Sequence, residues 1–320
     1  MVAGEIGFVY SWVMQQPIVS IKNFRMQFGE NEVIEDLSFD VREGETFAFL
    51  GSNGSGKTTT IRTLLGIFEP TAGTLLVKGR KYGPDLSSIL GYLPEERGLY
   101  KKESVLATML YFGELREMPR AAARKWSLEY LERIGLGDKA NVPVEKLSGG
   151  QQQKIQLGVT IMNDPELMIL DEPTKGFDPV NRRLLMDIVE EHSRRGATVI
   201  LVTHQMEEVE RLCDRVILLK DGKRRLYGTV DEIRHSYGSE VIDLEFSGPL
   251  PVAPRYFKVE QAGKRNAELS MAPGVTAPEV LAELVRHKSL EISRFELRRS
   301  SLDDIFVNIY NEAPGGGGRP

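Results

Sequence analysis

A glycine-rich loop between an apolar run and a helical pattern is the feature of this sequence that most constrains its fold. ETFAFL (45–50) has the pattern of a buried strand, GSNGSGKT (51–58) follows directly, and TTIRTLLGIF (59–68) has the pattern of a helix. The spacing Gly-x4-Gly-Lys-Thr between a strand and a helix is typical of phosphate-binding loops. We therefore expect this segment to hold phosphate groups.

The residues of the loop predict which phosphate compound it takes. Gly51, Gly54 and Gly56 allow backbone N–H groups to turn inward around a β-phosphate, and the following helix start attracts anions. Lys57 is expected to bridge β- and γ-phosphates, and the Thr58 hydroxyl to ligate Mg²⁺. The remaining predicted contacts of the loop are Ser52, Asn53, Ser55 and Thr59.

LMILDEP (167–173) supplies the acidic groups that such a loop needs. The apolar strand ends in Asp171, which is placed to contact Mg²⁺, and Glu172 could accept the proton of an attacking water. Together the two motifs predict a protein that binds a nucleoside triphosphate with Mg²⁺. They leave a kinase, a GTPase and a helicase open.

The order of elements predicts an α/β fold with a largely parallel sheet. Residues 17–42 show the alternation of antiparallel strands with one wet face, and residues 104–163 show helical periodicity. Strand patterns return at 167–173, 197–204 and 215–227, the last a hairpin with Asp221-Gly222 at its turn. Helices fit between them, as from Pro179 to Arg195. We predict a helical subdomain inserted between the phosphate loop and the acidic strand.

Four segments are expected along the chain: an N-terminal extension (1–16), the phosphate-binding domain (17–235), a small α+β domain (236–311) and a disordered tail (312–320). In the α+β domain, Thr276 and Glu279 have the spacing of a capping box. The helix that they begin carries an apolar stripe, which is Val280, Leu281, Leu284 and Val285.

LSGGQ (147–151) distinguishes between the classes of nucleotide-binding protein. It resembles the signature motif of the ATP-binding subunits of ABC transporters, and the resemblance extends from about Pro17 to His235. The resemblance implies a P-loop NTPase fold of the ABC type. It also implies that two subunits lie head to tail, so that the motif of one closes over the ATP held by the other. The motif residues assigned to that contact are Ser148, Gly149, Gly150 and Gln151.

Other positions match the same family one at a time. Phe28 stands where an aromatic ring stacks on adenine, Asp178 matches an aspartate that sets the two sites against each other, and His204 matches a histidine that contacts the γ-phosphate. Lys175 and Phe177 depart from the small residues common beside that aspartate.

GYLPEERGLY (91–100) departs from the family at one position. Glu95 stands where a glutamine normally contacts Mg²⁺ and the attacking water, and a carboxylate can also ligate the metal. The resemblance gives this segment a second role, contact with the membrane subunit, for which Arg97, Leu99 and Tyr100 are the exposed candidates. The C-terminal unit resembles the small domain of ATPases in the drug- and sodium-export branch.

Composition is that of an ordinary globular protein, and it argues against some classes of function. The net charge of −5 and the sequence pI of about 5.6 argue against a dedicated nucleic-acid binder. No apolar run approaches the length of roughly 20 residues that spans a bilayer. We expect an ATP-hydrolysing subunit, with Glu172 as base and Lys57 and His204 at the γ-phosphate, at the cytoplasmic face of the cell membrane.

The expected partners are a separate membrane permease, for export, and a second ATP-binding subunit, with a homodimer permitted. No nucleic acid is expected. Two other classes stay open on the sequence: a soluble ABC-type ATPase acting on nucleic acid or ribosomes, and a regulatory subunit that binds nucleotide without hydrolysis.

Overall fold

The computed structural model describes residues 17–96, 98–238, 240–251 and 254–311. The predicted extension 1–16 and the predicted tail 312–320 lie outside these ranges. Contacts divide the chain into two compact units, the first ending at Tyr227 and the second beginning at Gly228. The predicted boundary after His235 stays a prediction. None of the helices in the described ranges is both long enough and apolar enough to cross a bilayer.

In the described residues, a nine-stranded sheet lies in the first unit, apart from the end of its last strand in chain order, which runs two residues past Tyr227. Its strands in chain order are β1 (Pro17–Phe28), β2 (Asn31–Arg42), β3 (Thr46–Gly51), β4 (Ala72–Val77), β5 (Leu90–Leu93), β6 (Leu167–Asp171), β7 (Thr198–Val202), β8 (Arg215–Lys220) and β9 (Lys223–Thr229). They lie in the order β4-β1-β2-β9-β8-β3-β7-β6-β5. β1 pairs antiparallel with β2 and β4, whereas β8, β3, β7, β6 and β5 pair in parallel. The predicted α/β class is confirmed.

The hairpin between β8 and β9 turns where the sequence predicts it. Asp221 and Gly222 have φ angles of 52° and 69°. Positive φ at both central residues is the backbone of the tight turns that match the twist of paired strands. This turn returns β9 alongside β2, and so joins the parallel and antiparallel parts of the sheet.

Six α-helices surround this sheet in the described residues, and they are α1 (Lys57–Leu64), α2 (Val105–Leu115), α3 (Arg120–Arg133), α4 (Gly149–Ile161), α5 (Pro179–Arg194) and α6 (Met206–Leu212). α2, α3 and α4 form the predicted inserted subdomain around buried residues such as Met109, Leu131 and Ile155. α1 ends earlier than the predicted 59–68, because Gly66 takes a φ of 68° that a helix cannot continue through.

The parallel strands position the candidate site. β3, β6 and β7 are buried along almost their whole length, and Val202 of β7 pairs with Phe49 on one side and Asp171 on the other. β5 continues the register, with Leu93 beside Leu170. The segments that follow these four strands therefore leave the sheet at one edge, where open α/β sheets bind their ligands.

The second unit has a four-stranded antiparallel sheet in its described part. Its elements are α7 (Val230–Tyr237), β10 (Glu240–Ser247), β11 (Phe257–Ala262), β12 (Asn266–Met271), α8 (Ala277–Val285), β13 (Glu291–Arg299) and α9 (Leu302–Asn311). The strands lie in the order β11-β12-β10-β13. α8 covers one face, on which Ile242, Leu244 and Leu269 are buried with Val280 and Leu284.

The start of α8 is as predicted, but its stripe is narrower. Thr276 is the N-cap residue, and the Glu279 carboxylate accepts a hydrogen bond from the Thr276 backbone N–H at 2.8 Å. Val285, predicted to lie in the apolar stripe, is 64% exposed. It lies five positions after the buried Val280, and at 3.6 residues per turn a step of five points to a different face of the helix.

Candidate functional site

The loop between β3 and α1 needs glycine at its first and last positions. Gly51 has a φ of 155°, and a Cβ there would lie 2.6 Å from the carbonyl oxygen of Leu219. Gly56 is the N-cap residue of α1 with a φ of 103°, where a Cβ would meet Ile34 at 2.3 Å. A side chain at either position would therefore force the loop to move.

Lys57 is enclosed by this loop. Its Nζ donates hydrogen bonds to the carbonyl oxygens of Gly51 at 2.7 Å and Ser52 at 3.0 Å. The residue is only 8% exposed. Burial lowers the pKa of Lys57, while the carboxylates of Glu172, Asp171 and Glu95 act in the opposite direction. A cation is thus held at a fixed place inside the phosphate-loop segment.

An open cleft of about 830 Å³ lies against the loop at the carboxyl edge of the sheet. It is lined by Phe28, Val33, Asn53, Gly54, Gly56, Lys57, Thr58, Thr59, Glu95, Asp171, Glu172, Lys175 and His204. All but two of these positions are predicted site residues. Val33 and Lys175 are the additions, and Lys175 drew notice in the sequence only as a departure from the family pattern.

Phe28 is 45% exposed, and its ring meets that of Phe68 edge to face with centroids 5.4 Å apart. An aromatic ring supported from behind and open in front can receive a planar ligand. The antiparallel part of the sheet therefore contributes an apolar wall to a cleft that is otherwise polar.

Asp171 is the most buried of the three carboxylates in the cleft, at 2% exposure. Its Oδ2 accepts a hydrogen bond from Thr58 Oγ1 at 3.4 Å. Burial raises the pKa of Asp171 to about 6, and the carboxylates of Glu95 and Glu172 act in the same direction against Lys57. A hydroxyl and a carboxylate side by side are the hard oxygen donors that Mg²⁺ prefers. The described residues contain no group of three His, Cys, Asp or Glu side chains arranged to hold a metal by themselves.

Glu172 leaves the strand with a left-handed backbone, at a φ of 49°. That conformation is uncommon for a residue with a Cβ, and such residues concentrate at functional sites. The Glu172 N–H donates to the Val202 carbonyl at 2.8 Å, and Glu172 Oε1 lies 2.7 Å from His204 Nδ1. The side chain that follows Asp171 is thus directed to a different partner.

A buried carboxylate connects the segments around Glu172 and His204. Glu208 is 2% exposed and accepts hydrogen bonds from the hydroxyls of Thr174 and Thr203, the latter at 3.0 Å. The Thr203 hydroxyl in turn accepts from the Gln205 N–H at 3.0 Å. Sequence reasoning missed this network, since an acidic residue in a polar helical segment such as MEEVERL has the pattern of a solvated face.

Glu95 lies at the rim of the cleft, where its Oε1 accepts a hydrogen bond from Lys175 Nζ at 2.6 Å. Two of the three residues at which this sequence departs from the family, Glu95 and Lys175, are therefore in contact.

LSGGQ lies elsewhere on the fold. Ser148 is the N-cap of α4: its Oγ accepts from the Gln151 N–H at 3.3 Å, and Gln151 Oε1 accepts from the Ser148 N–H at 2.9 Å. Gly149 and Gly150 form the first turn of that helix. Among the residues that the structure describes, none of these lines the cleft. The helix start is therefore not part of the lining of the chain's own cleft.

Asp178 is also a helix cap outside the cleft lining. It is the N-cap of α5, and its Oδ1 accepts from the Asn181 N–H at 2.9 Å. That hydrogen bond lowers the pKa of Asp178.

The segment predicted to meet a membrane subunit is only partly exposed. Leu99 is 8% exposed and packs in the core of the inserted subdomain, so its prediction as an exposed contact was wrong. An apolar side chain is more stable in such a core than in water. Arg97 lies outside the described residues. Tyr100 is 50% exposed and stacks edge to face on Tyr111 at 5.2 Å.

Sequence comparison assigns both units. Residues 34–175 match the ABC transporter family, and residues 228–310 match the C-terminal domain of DrrA1-3-like ATP-binding proteins. An uncharacterized ABC transporter ATP-binding protein of Methanocaldococcus jannaschii is 44% identical over 219 residues, which is 68% of this chain and 80% of that protein.

The chain belongs to the family of ABC transporter ATP-binding proteins.

Two further members of this family are similar to the chain, one over a larger part of its sequence and the other in its three-dimensional structure. The Nod factor export ATP-binding protein I of Ralstonia nicotianae is 33% identical over 302 residues, which is 92% of this chain and 94% of that protein. The structure of cbiO1 from Clostridium perfringens, described as part of the ABC transporter complex cbiONQ, is 26% identical with a TM-score of 0.60 and covers 69% of this chain and 91% of its own. The family resemblance of the sequence is confirmed.

Proposed function

We propose that the chain binds ATP with Mg²⁺ in the cleft, hydrolyses it, and thereby powers export by a separate membrane permease. The observation that carries the proposal is the convergence of Lys57, Asp171, Glu172 and His204 on one cleft, at the ends of three neighbouring strands and in the segments that follow them. Each of these side chains has a function that phosphoryl transfer needs: a fixed cation, a metal ligand, a base and a hydrogen-bonding group.

ATP is proposed to lie with its phosphates in the loop and its adenine on Phe28. Backbone groups of residues 51–56, the start of α1 with Thr58 and Thr59, and the Lys57 ammonium would bind the phosphate oxygens. The hydroxyl of Ser55 supports a ligand in this loop, since it is buried and has no hydrogen-bond partner among the described residues.

The oxygen donors in the cleft fit Mg²⁺. Thr58 and Asp171 would hold the ion, with Glu95 at the rim, and the phosphates would complete its coordination. The bound ion supplies positive charge that balances the charge of the phosphate oxygens.

Glu172 is proposed as the base. Its carboxylate would take a proton from the attacking water while the water oxygen bonds to the γ-phosphorus and the bond to the bridging oxygen breaks, releasing ADP and phosphate. His204 holds Glu172 through Nδ1 and has 58% of its side chain exposed toward solvent, where it can reach a γ-phosphate.

The second ATP-binding subunit is proposed to supply the contacts that the cleft lacks. Ser148, Gly149, Gly150 and Gln151 form a helix start that suits an anion and lies outside the lining of the chain's own cleft. Placed over a partner's ATP, together with Asp178, it would close each site with groups from the other subunit. A pair of identical chains satisfies this arrangement.

The permease is proposed to meet the inserted subdomain at the cytoplasmic face of the membrane. Exposed apolar surface collects there at Tyr100, Tyr111 and Leu115, with exposures of 50%, 43% and 59%. Contiguous exposed apolar groups are typical of interaction surfaces. The relative in Ralstonia nicotianae is named for export, which favours that direction of transport.

Phosphate release by the purified protein with Mg²⁺ and ATP tests the catalytic part of the proposal. The wild type and Glu69→Gln, a neutralised surface carboxylate with 85% of its side chain exposed, should turn over ATP equally, and Glu172→Gln should not. Turnover that is absent from the wild type would favour a regulatory subunit. Recovery of a tagged chain with one multi-spanning membrane protein in mild detergent tests the transport part, and recovery with ribosomes or nucleic acid would contradict it.

A further inference from the structure

Glu95 and Lys175 meet because their strands are neighbours. Glu95 follows β5 and Lys175 follows β6, and these strands pair in parallel with Leu93 beside Leu170. The residues that come after the two strands therefore leave the sheet side by side. The Lys175 ammonium lies 2.6 Å from Glu95 Oε1, and both side chains line the nucleotide cleft.

The charges in the cleft explain why the contact between Glu95 and Lys175 matters for a bound triphosphate. Three carboxylates, Glu95, Asp171 and Glu172, face the two ammonium groups of Lys57 and Lys175, with His204 beside them. Lys57 is already bonded to the carbonyls of its own loop. A triphosphate that enters brings further negative charge into the cleft that Glu95 lines, where like charges repel each other.

Lys175 also belongs to the turn that carries Glu172. The Lys175 N–H donates to the Glu172 carbonyl at 3.2 Å, and Gly176 follows with a φ of 78°. The hydrogen bond with Glu95, which raises the pKa of Lys175, therefore joins the rim of the cleft to that turn.

We propose that Lys175 is a positioning residue for Glu95: it holds the carboxylate at the rim and supplies the charge that lets a third carboxylate stand beside bound ATP. This inference rests on the proposed function, since it concerns how the same cleft accepts its substrate. Lys175 acts through Glu95, so its effect should depend on the charge at position 95.

The opposing explanation is a surface ion pair without consequence for the ligand. The side chains are 60% and 42% exposed, and exposed ion pairs contribute little to stability. The chain contains a matched pair outside the cleft, Lys223 and Glu35, 2.9 Å apart with exposures of 49% and 47%. Comparison of the two pairs separates a role in binding from a general effect of lost charge.

The test is a double-mutant cycle on ATP affinity, measured by calorimetry with EDTA present so that no metal takes part. Lys175→Met should weaken ATP binding about tenfold, because Glu95 is left uncompensated. Glu95→Gln with Lys175→Met should return the affinity to within about threefold of wild type, since the net charge of the cleft is restored. Lys175→Arg should bind as wild type does, and Lys223→Met should change the affinity less than twofold.

Steady-state turnover adds an independent readout. The KM for ATP should rise with Lys175→Met and fall back in the double variant, whereas unfolding midpoints should stay level across the set. Equal losses from Lys175→Met in both backgrounds, or a loss no larger than that of Lys223→Met, would overturn the pairing. A wild type that binds no ATP would instead overturn the proposed function, and the pairing with it.

Discussion

The Glu172 carboxylate holds the His204 imidazole through Nδ1, at an Oε1–Nδ1 distance of 2.7 Å. Gln205 Nε2 lies 3.2 Å from the other ring nitrogen, Nε2. An amide NH₂ group can only donate, so Nε2 accepts and the proton of the neutral ring sits on Nδ1, directed at Glu172. The proposed base and the neighbouring histidine are thus hydrogen-bonded to each other.

Glu172→Gln should abolish turnover without loss of ATP binding. Glutamine keeps the size of the side chain and a carbonyl oxygen for the His204 N–H, but it cannot take a proton. Loss of a positioned base lowers rates by about 10² to 10⁴-fold. Phosphate release checks the loss of turnover, and calorimetric ATP affinity measured on the same preparation checks that binding is retained. Turnover within tenfold of wild type would mean that the base lies elsewhere.

Lys57→Ala should remove ATP binding. The buried ammonium is replaced by a methyl group, and the loop carbonyls of Gly51 and Ser52 lose the donor that orders them. Loss of such a charged contact to phosphate should weaken binding at least about 100-fold. Lys125→Ala, which alters an exposed lysine on α3, is the control and should bind normally. An unchanged affinity in Lys57→Ala would contradict the assignment of the loop.

Ser148→Ala should lose both stability and turnover, and Ser104→Ala should lose stability alone. Both serines are N-caps that accept from a backbone N–H, at 3.3 Å in α4 and 3.2 Å in α2. Removing such a cap costs about 1 kcal/mol. Only Ser148 is proposed to reach a partner's ATP, so turnover at high protein concentration and urea unfolding should separate the pair. Equal turnover in the two variants would contradict the role of LSGGQ.

Glu208→Gln should change the pH dependence of stability. Burial raises the pKa of Glu208 above its ordinary 4.5, so folding favours the protonated acid. Its contribution is fully present below pH 4.5 and is lost as pH rises through the pKa of the folded state. The variant, which cannot ionise, should therefore gain free energy of unfolding relative to wild type between pH 4.5 and pH 8.

Urea unfolding across that pH range measures the difference. Glutamine forms different hydrogen bonds with the hydroxyls of Thr174 and Thr203 than a carboxylate does. This difference changes the free energy of unfolding by an amount that does not depend on pH. Only the slope of the free energy of unfolding against pH therefore tests the prediction. Glu207→Gln, with 87% of its side chain exposed, is the neighbouring control and should follow wild type in parallel. A flat difference for Glu208→Gln would show that the carboxyl titrates normally.

Local patterns predicted the parts of the site that are continuous in sequence. The phosphate loop, Asp171 at its strand end and Ser148 at its helix start all follow from a few adjacent residues, because short-range geometry fixes strands, turns and caps. The C-terminal strands and α8 were predictable for the same reason.

Contacts between distant segments were not predictable. Glu95 and Lys175 are 80 residues apart and meet only because β5 lies beside β6, an order that no pattern in either segment reveals. Leu99 was expected to be exposed because the family resemblance assigns its segment to contact with the membrane subunit, and its burial depends on packing among distant parts of the chain. The burial of Glu208 was not predicted either, because its helix is too short for the sequence to show which of its faces is buried.

Ser148 caps α4 with only the oxygen of its hydroxyl group. Its oxygen receives the Gln151 N–H, while its proton stays available to a second acceptor. Aspartate caps helices as well as serine does, yet a carboxylate has no proton to give and would meet a phosphate with like charge. α4 would therefore be stable with either residue as its N-cap, and only the binding of an anion would favour serine over aspartate.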